Sequence, residues 1–569
     1  MSTHARPLAE WLSAASDEQL TSLFTARRVR PDAGWQDFFD AAEALLDPAS
    51  IARALPALTH EEAAALVVAA SQPLDEHAPE RATLEHLALI RPDGTAFPPV
   101  AAAIADRDLP SPPRMTSPQP AGEADSAHAA ERAFTTVSAL ADLLLLAREK
   151  PFALLAGGNV SAGEKRGLGE SGVAAESVDA LIAIAVDSAL VAPDERRLRT
   201  TVRTEGWLRS PVSDRWGALA AGFRDALPRG VRIADGGWTP TTSWPHAHPW
   251  DPAWPEHSAA LLERARLLGL IADGDGEPAW AESLRLGRAV DPAPLTALLP
   301  AEVDRIFLQN DLSAISPGPL APALDVRLRT IAARESAAQA STYRFTPESI
   351  AHALVAGETE ESILEFLEAL SLTGIPQPLR YLVSQTAQRH GLVRVSIDSE
   401  TGRTRIESSD RHLIEAMAVD QSLRPLALTK HVAALSTRVG RDTVYWALTD
   451  ARYPATLVAE DGTVITGERN PATEPAPESA ADYAPLISAL RAHQGPDADA
   501  AWLDRELDAA VRAKAVLRVT VGMPDGSTRD LILEATGLGG GRLRGRDRAA
   551  DVERTLPVSS IRAATVIAQ

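Results

Sequence analysis

Four times along this chain a segment with helical apolar spacing runs into a short apolar strand, a polar turn and a second strand. The instances are Ala189-Leu190-Val191 with a turn at Asp194-Glu195-Arg196, Leu270-Ile271 with Asp273-Gly274-Asp275-Gly276, Leu392 to Ile397 with Ser399-Glu400-Thr401-Gly402, and Thr456-Leu457-Val458 with Asp461-Gly462. Such a weak repeat constrains the fold more than any single motif does, and it predicts a mainly α protein with small β hairpins, an α+β multidomain chain. The third instance has the sharpest punctuation. Thr346 can cap a helix whose first position is Pro347, with Ile350, Ala353 and Leu354 starting its apolar stripe and Gly357 ending it. A second helix carries Glu360 and Glu361 in its first turn and Ile363, Leu364, Leu367 and Leu370 on one face. A third runs from about Leu379 to His390-Gly391 and leads into the strand at Leu392.

A helix followed by a hairpin is how a winged-helix domain ends, and winged-helix modules are variants of the helix-turn-helix DNA reader. It is also a common way to close any small α+β domain, and Leu270 fits that blander description better. Around the third instance the order and spacing of Gln309-Asn310-Asp311-Leu312, Tyr343-Arg344-Phe345-Thr346-Pro347, Pro376-Gln377 and Arg389-His390-Gly391 resemble the domain that precedes the motor in XPB-type DNA helicases. The resemblance spans residues 302–410, with Gln309, Asp311, Tyr343, Arg344, Thr346, Pro347, Pro376 and Gln377 as its motif positions. It implies a helicase-associated protein that works on DNA in repair or transcription.

A motor needs a glycine-rich loop ending in Gly-Lys-Ser/Thr, because the lysine reaches the terminal phosphates and the hydroxyl holds magnesium. The only lysines are Lys150, Lys165, Lys430 and Lys514, and none follows glycine or precedes Ser or Thr. The nearest approach, Gly158 to Arg166, places Glu164 where the lysine belongs and reads as the polar start of a helix. Asp194-Glu195-Arg196-Arg197 sits at a hairpin turn and mimics an acidic helicase box only superficially. No Gly-x-Ser-x-Gly elbow or His-Glu-x-x-His helix is present. The expectation is a non-catalytic protein that needs no cofactor.

The absence of cysteine excludes disulfides and thiolate metal sites. His246, His248 and His257, with Asp251 or Glu256, could ligate a metal, but they lie in a Pro/Trp-rich loop whose tryptophans more simply pin it to neighbouring helices. Asp273-Gly274-Asp275-Gly276-Glu277 begins like a calcium loop, yet Leu284 stands where its last glutamate belongs, so it reads as a turn.

Composition shifts divide the chain into a helical region 1–107, a Pro-rich linker 108–130, a winged-helix-like unit 131–215, a helical region with the Trp/Pro loop 216–300, the XPB-like domain 301–410, a helix-plus-hairpin unit 411–469, a linker 470–481 and a helix with a β-rich tail 482–569. The tail resembles the small WYL domain of bacterial DNA-linked regulators, with Arg554 and Ile561 in matching places. Val519-Thr520-Val521 stands where that domain carries a strand aromatic. This puts a ligand-sensing transcriptional regulator beside the accessory-protein reading as the alternative. The first 23 residues lack a signal-peptide core and no stretch approaches a membrane span, so a cytoplasmic, even nucleoid-associated, protein without membrane partners is expected.

The net charge of −21 argues against coating nucleic acid over the whole surface. From Val511 to Gln569, however, ten Lys and Arg face six Asp and Glu. Contacts with DNA, duplex or forked, should therefore be local and made by arginine, whose fork suits phosphate. Arg344 lies in the family motif, Arg389 on the third helix, Arg394, Arg403 and Arg405 on the hairpin after it, and Arg542, Arg544, Arg546 and Arg548 alternate along a tail strand. The similarity to the non-motor subunit that grips XPB in the eukaryotic repair and transcription complex makes a helicase the other expected partner.

Overall fold

Leu, Ala and Phe at helical spacing give each short helix of the first hundred residues one apolar face, and these faces meet in a single core. A computed structural model describes residues 5–111, 117–170, 174, 177–337, 340–459, 461–474, 481–493, 498–523 and 527–567. About 48% of it is helix and 18% strand, a mixed α+β architecture. Helix α1 (Ala5–Ala14) buries Leu8 and Leu12 beside Leu20, Leu23, Phe24, Ile51, Leu55 and Leu58, the positions its spacing marks out. Two distant segments complete this core: Trp250, and Tyr483, Leu486, Ile487, Leu490 and Trp502.

The second core corrects two expected boundaries. Helix α2 (Glu123–Glu149) begins inside the stretch expected to be linker as far as residue 130, its first turn favoured by Glu123 and Asp125 at the positive helix end. A helix spanning Val212–Asp225 runs straight through the boundary expected at 215. Trp216, Leu219 and Phe223 on it share one core with Leu140 and Leu144 of α2 and with Trp244, Trp254 and Trp280. The indoles can be buried because each N–H finds a carbonyl: Trp216 donates to Leu268 at 2.8 Å, Trp280 to Gly269 at 2.8 Å and Trp254 to Trp244 at 2.7 Å. In this unit β1 (Phe152–Ala153), helix α3 (Val178–Asp187), β2 (Val191–Asp194) and β3 (Arg197–Thr200) give an antiparallel sheet ordered β1-β3-β2. The hairpin expected at Leu190 therefore forms. At Leu270 it does not: the backbone turns through Gly274 at φ 70°, and the Ala272 N–H closes the turn on the Gly276 carbonyl.

The third unit is a four-stranded antiparallel sheet ordered β4-β5-β7-β6, from β4 (Phe307–Leu308), β5 (Ser313–Ser316), β6 (Ala333–Ala337) and β7 (Ser341–Arg344), with helix α4 (Pro322–Ile331) between β5 and β6. Against it pack α5 (Pro347–Val355), α6 (Glu360–Leu370) and α7 (Gln377–Arg389).

The chain then enters β8 (Val393–Ile397) and β9 (Thr404–Ser408), helix α8 (Arg411–Val419), β10 (Thr429–Lys430) and β11 (Ala434–Thr437), helix α9 (Arg441–Asp450), and β12 (Ala455–Val458) with β13 (Val464–Ile465). These strands make one sheet ordered β10-β11-β9-β8-β12-β13, in which β12 runs parallel to β8. The boundary expected at 410 thus cuts a single sheet, and the hairpins expected at Leu392 and Thr456 belong to it together.

The segment read as a linker, 470–481, is partly tied down. Asn470 donates to the Glu149 carbonyl at 2.7 Å and Thr473 pairs with Thr201. Its residues 475–480, the Pro112-Pro113 portion of the first linker and the expected turn at Pro524-Asp525-Gly526 lie outside the described residues. Helix α10 (Ala484–Ala492) packs into the N-terminal core and not with the tail, against the expected unit 482–569. Helix α11 (Ala498–Arg512) bridges the two, with Trp502 in the N-terminal core and Leu503, Leu507 and Ala510 in the tail core. The tail is a five-stranded antiparallel sheet ordered β17-β16-β15-β14-β18, from β14 (Val516–Gly522), β15 (Thr528–Gly539), β16 (Arg542–Asp547), β17 (Val552–Pro557) and β18 (Ile561–Val566). Among the described residues no helix is long and apolar enough to cross a membrane.

Candidate nucleic-acid interface

Most of the motif positions serve the scaffold, while Gln377 is exposed. Thr346 caps α5 in a reciprocal pair with Ser349, and Pro347 occupies the first turn where its missing N–H is no loss. Pro376 is the N-cap of α7 and Gln377 its first residue. Gln309 and Asp311 build the β4–β5 turn: the Ser313 hydroxyl lies 3.0 Å from the Gln309 amide oxygen and donates to Asp311 at 2.5 Å, and this bond with that of the Ser313 backbone N–H holds the Asp311 carboxyl below the usual range. Tyr343, 1% exposed, donates its hydroxyl to Asp325 at 2.6 Å. Burial and the adjacent carboxylate push its phenol pKa well up, so it stays a donor at all working pH.

Arg344, expected to reach DNA, is engaged internally. It donates to Glu335 at 3.0 Å and to the Asp311 carbonyl at 2.9 Å, which staples β7 to β6 and to the β4–β5 turn. The Glu335 pairing is partly exposed, 36% at Arg344 and 47% at Glu335, and such surface pairs are individually weak.

The hairpin arginines divide. Arg394 and Arg405 stand on the exposed face of the six-stranded sheet, but Arg405 is paired with Glu407 at 2.7 Å and approaches Asp398 at 3.6 Å, so only its position is right for a ligand. Arg394 reaches the Gly462 carbonyl at 3.5 Å. Arg403, at the end of the hairpin turn, and Arg389, exposed in the last turn of α7, have no acidic partner among the described residues.

On β16 the expected alternation is realised for three of the four arginines. Arg542, Arg544 and Arg546 are exposed while Leu543, Gly545 and Asp547 face inward, and Arg548 falls in the turn beyond the strand. Arg546 is bonded to Asp551 at 2.8 Å, with Glu534 and Glu553 directly opposite it on the neighbouring strands. Arg548 lies 3.7 Å from Glu534. Opposite Arg544 stand Gly537 and Thr555, and opposite Arg542 stand Gly539 and Pro557, so this pair alone of the row has no acid across from it. Arg554 makes an ion pair at 2.6 Å with buried Asp547, a structural role inside the tail.

Periodicity alone did not reveal two further features. Asp142 on α2 accepts hydrogen bonds from Arg329 of α4 at 2.6 Å and from Arg334 of β6, all three mostly buried, and so locks the second unit to the third. Tyr381, midway along α7, is 65% exposed, although the other tyrosines are buried or half-buried. Its spacing from Gln377 was the available signal.

Among the described residues no group of His, Asp or Glu could hold a metal ion. The loop histidines pack instead. His248 bonds the Leu58 carbonyl at 3.0 Å, and both His248 and His257 sit edge-on to Trp254, at 4.4 and 5.1 Å between ring centres.

No curated protein matches this chain. Residues 306–431, covering the third unit, α7, the β8–β9 hairpin and the chain as far as the β10–β11 turn, match the family model described as helicase conserved C-terminal domain, which supports a helicase-associated protein.

Proposed function

We propose that this protein is a non-catalytic accessory factor of DNA repair or transcription that binds DNA directly and works beside a helicase. The observation that carries the reading is the helicase-domain match over 306–431 in a chain whose only lysines, Lys150, Lys165, Lys430 and Lys514, form no phosphate-binding loop. The sheet within 306–344 is antiparallel throughout, whereas a phosphate-binding loop follows a strand of a parallel βαβ unit. Three helices feeding the β8–β9 hairpin agree with a winged-helix-like docking unit, and Arg389, Arg403, Arg542 and Arg544 supply cations with no ion-pair partner among the described residues.

Fluorescence anisotropy of the full chain with duplex, forked and single-stranded DNA tests the reading, together with an ATPase assay in the presence and absence of each DNA. Binding at low salt without ATP turnover is expected. DNA-stimulated hydrolysis would overturn the non-catalytic part, and capture of a helicase without any DNA binding would shift the role to protein docking alone. The ligand-sensing alternative has less to build on, because Trp502 is the last aromatic residue of the chain and it belongs to the N-terminal core.

A further inference from the structure

Helix α7 has an unusual free face. Its sequence, QPLRYLVSQTAQR, contains no acidic residue, whereas every other helix of ten or more described residues carries at least one. In a chain with 77 Asp and Glu, a long helix without acid stands out. Glutamine is concentrated here instead: three of the chain's twelve glutamines fall within these thirteen residues. Leu379 and Val383 anchor the opposite side in the core.

At about 100° per residue, Gln377, Gln388, Tyr381 and Gln385 lie within an arc of about 80°. All four are exposed, Tyr381 to 65%. Arg380 stands about 60° beyond one edge of that arc and Arg389 about 40° beyond the other. Two acids of α6 touch its flanks: Glu368 lies 3.6 Å from Arg380, and Glu360 accepts the Ser384 hydroxyl. A stripe of uncharged, bidentate donors and acceptors flanked on both sides by arginine has the chemistry that reads base edges in a major groove while touching the phosphates that border it. Glutamine pairs with the N6 and N7 edge of adenine, and arginine forks suit phosphate. The helix is about 20 Å long, and the β8–β9 hairpin with unpaired Arg403 follows it directly.

We propose that α7 is a sequence-reading helix: Gln377, Tyr381, Gln385 and Gln388 contact base edges of B-form DNA, and Arg380 and Arg389 hold the flanking phosphates. This rests on the DNA-binding reading above and adds sequence preference to it. The test is selection of duplexes bound by the full chain from a pool with a randomised centre, followed by affinity measurements on the enriched and a scrambled duplex. An enriched motif is expected. The double variant Tyr381→Ala/Gln385→Ala should lower the preference for it by about ten- to a hundredfold, losing far more affinity for the enriched duplex than for the scrambled one. Both positions are exposed, and an unaltered circular dichroism spectrum and melting curve check that the fold is intact.

Arg380→Ala and Arg389→Ala should weaken both duplexes equally, each lowering the salt slope by about one. Binding with no enriched sequence, or a preference that survives the double variant, would overturn the sequence-reading role and leave DNA binding standing. No binding to any duplex at low salt would overturn both.

Discussion

At the scale of single residues, the buried polar groups of the central unit do more for the fold than for a ligand. Buried Tyr343 and half-buried Asp325 form a charge-assisted bond. Tyr343→Phe should therefore cost about 1–2 kcal/mol in the transition that melts this unit, measured by thermal or urea unfolding. Asp142→Ala should cost more, about 3 kcal/mol, because it takes the acidic partner from Arg334 and leaves Arg329 only Asp325, 3.8 Å away, with both arginines 17% exposed. A smaller loss than for Tyr343→Phe would mean that water reaches the two arginines. The caps at Thr346 and Pro347 were legible in the sequence because their partners lie three residues away or less. Asp142 was not, since its partners are nearly two hundred residues distant and no local period encodes them. The place of Arg344 in the motif was visible, but for the same reason its partner Glu335 across the sheet was not.

At the scale of elements, α5, α6 and α7 were readable from caps and spacing, and so were most hairpins. What escaped was how they join. The parallel pairing of β12 with β8 connects strands about sixty residues apart, and the divided allegiance of α11 between two cores leaves no trace in its amphipathic pattern. That helix carries a testable consequence. Glu506, 5% exposed beside Arg6 and Glu10 of α1, has a carboxylate oxygen with no hydrogen-bond partner, and burial lifts its pKa from 4.5 to about 7. The folded state holds the proton more tightly than the unfolded one. This junction is therefore most stable below about pH 4.5 and loses up to about 3 kcal/mol as the pH climbs to about 7. Glu506→Gln should remove that loss, so the variant's melting temperature should exceed that of the parent at pH 8 and converge with it near pH 4.5. Parallel melting curves across this range would show that Glu506 is solvated and the junction looser than described.

At the scale of the whole molecule, a net charge of −21 opposes DNA, so the proposed binding is expected only at places where acid is absent. The β16 row was visible from alternation alone. Its division into a neutralised half, Arg546 with Arg548, and an open half, Arg542 with Arg544, depends on the strands that flank it. The central claim is that the chain grips DNA through such open arginines and not through a helicase partner. The most direct test is the salt dependence of duplex affinity for the full chain and for Arg542→Ala/Arg544→Ala. The account predicts measurable binding at low salt and a logarithmic slope that shrinks by about two in the double variant. An unchanged slope would remove the tail from the interface, and no binding by the parent chain at low salt would contradict the claim itself.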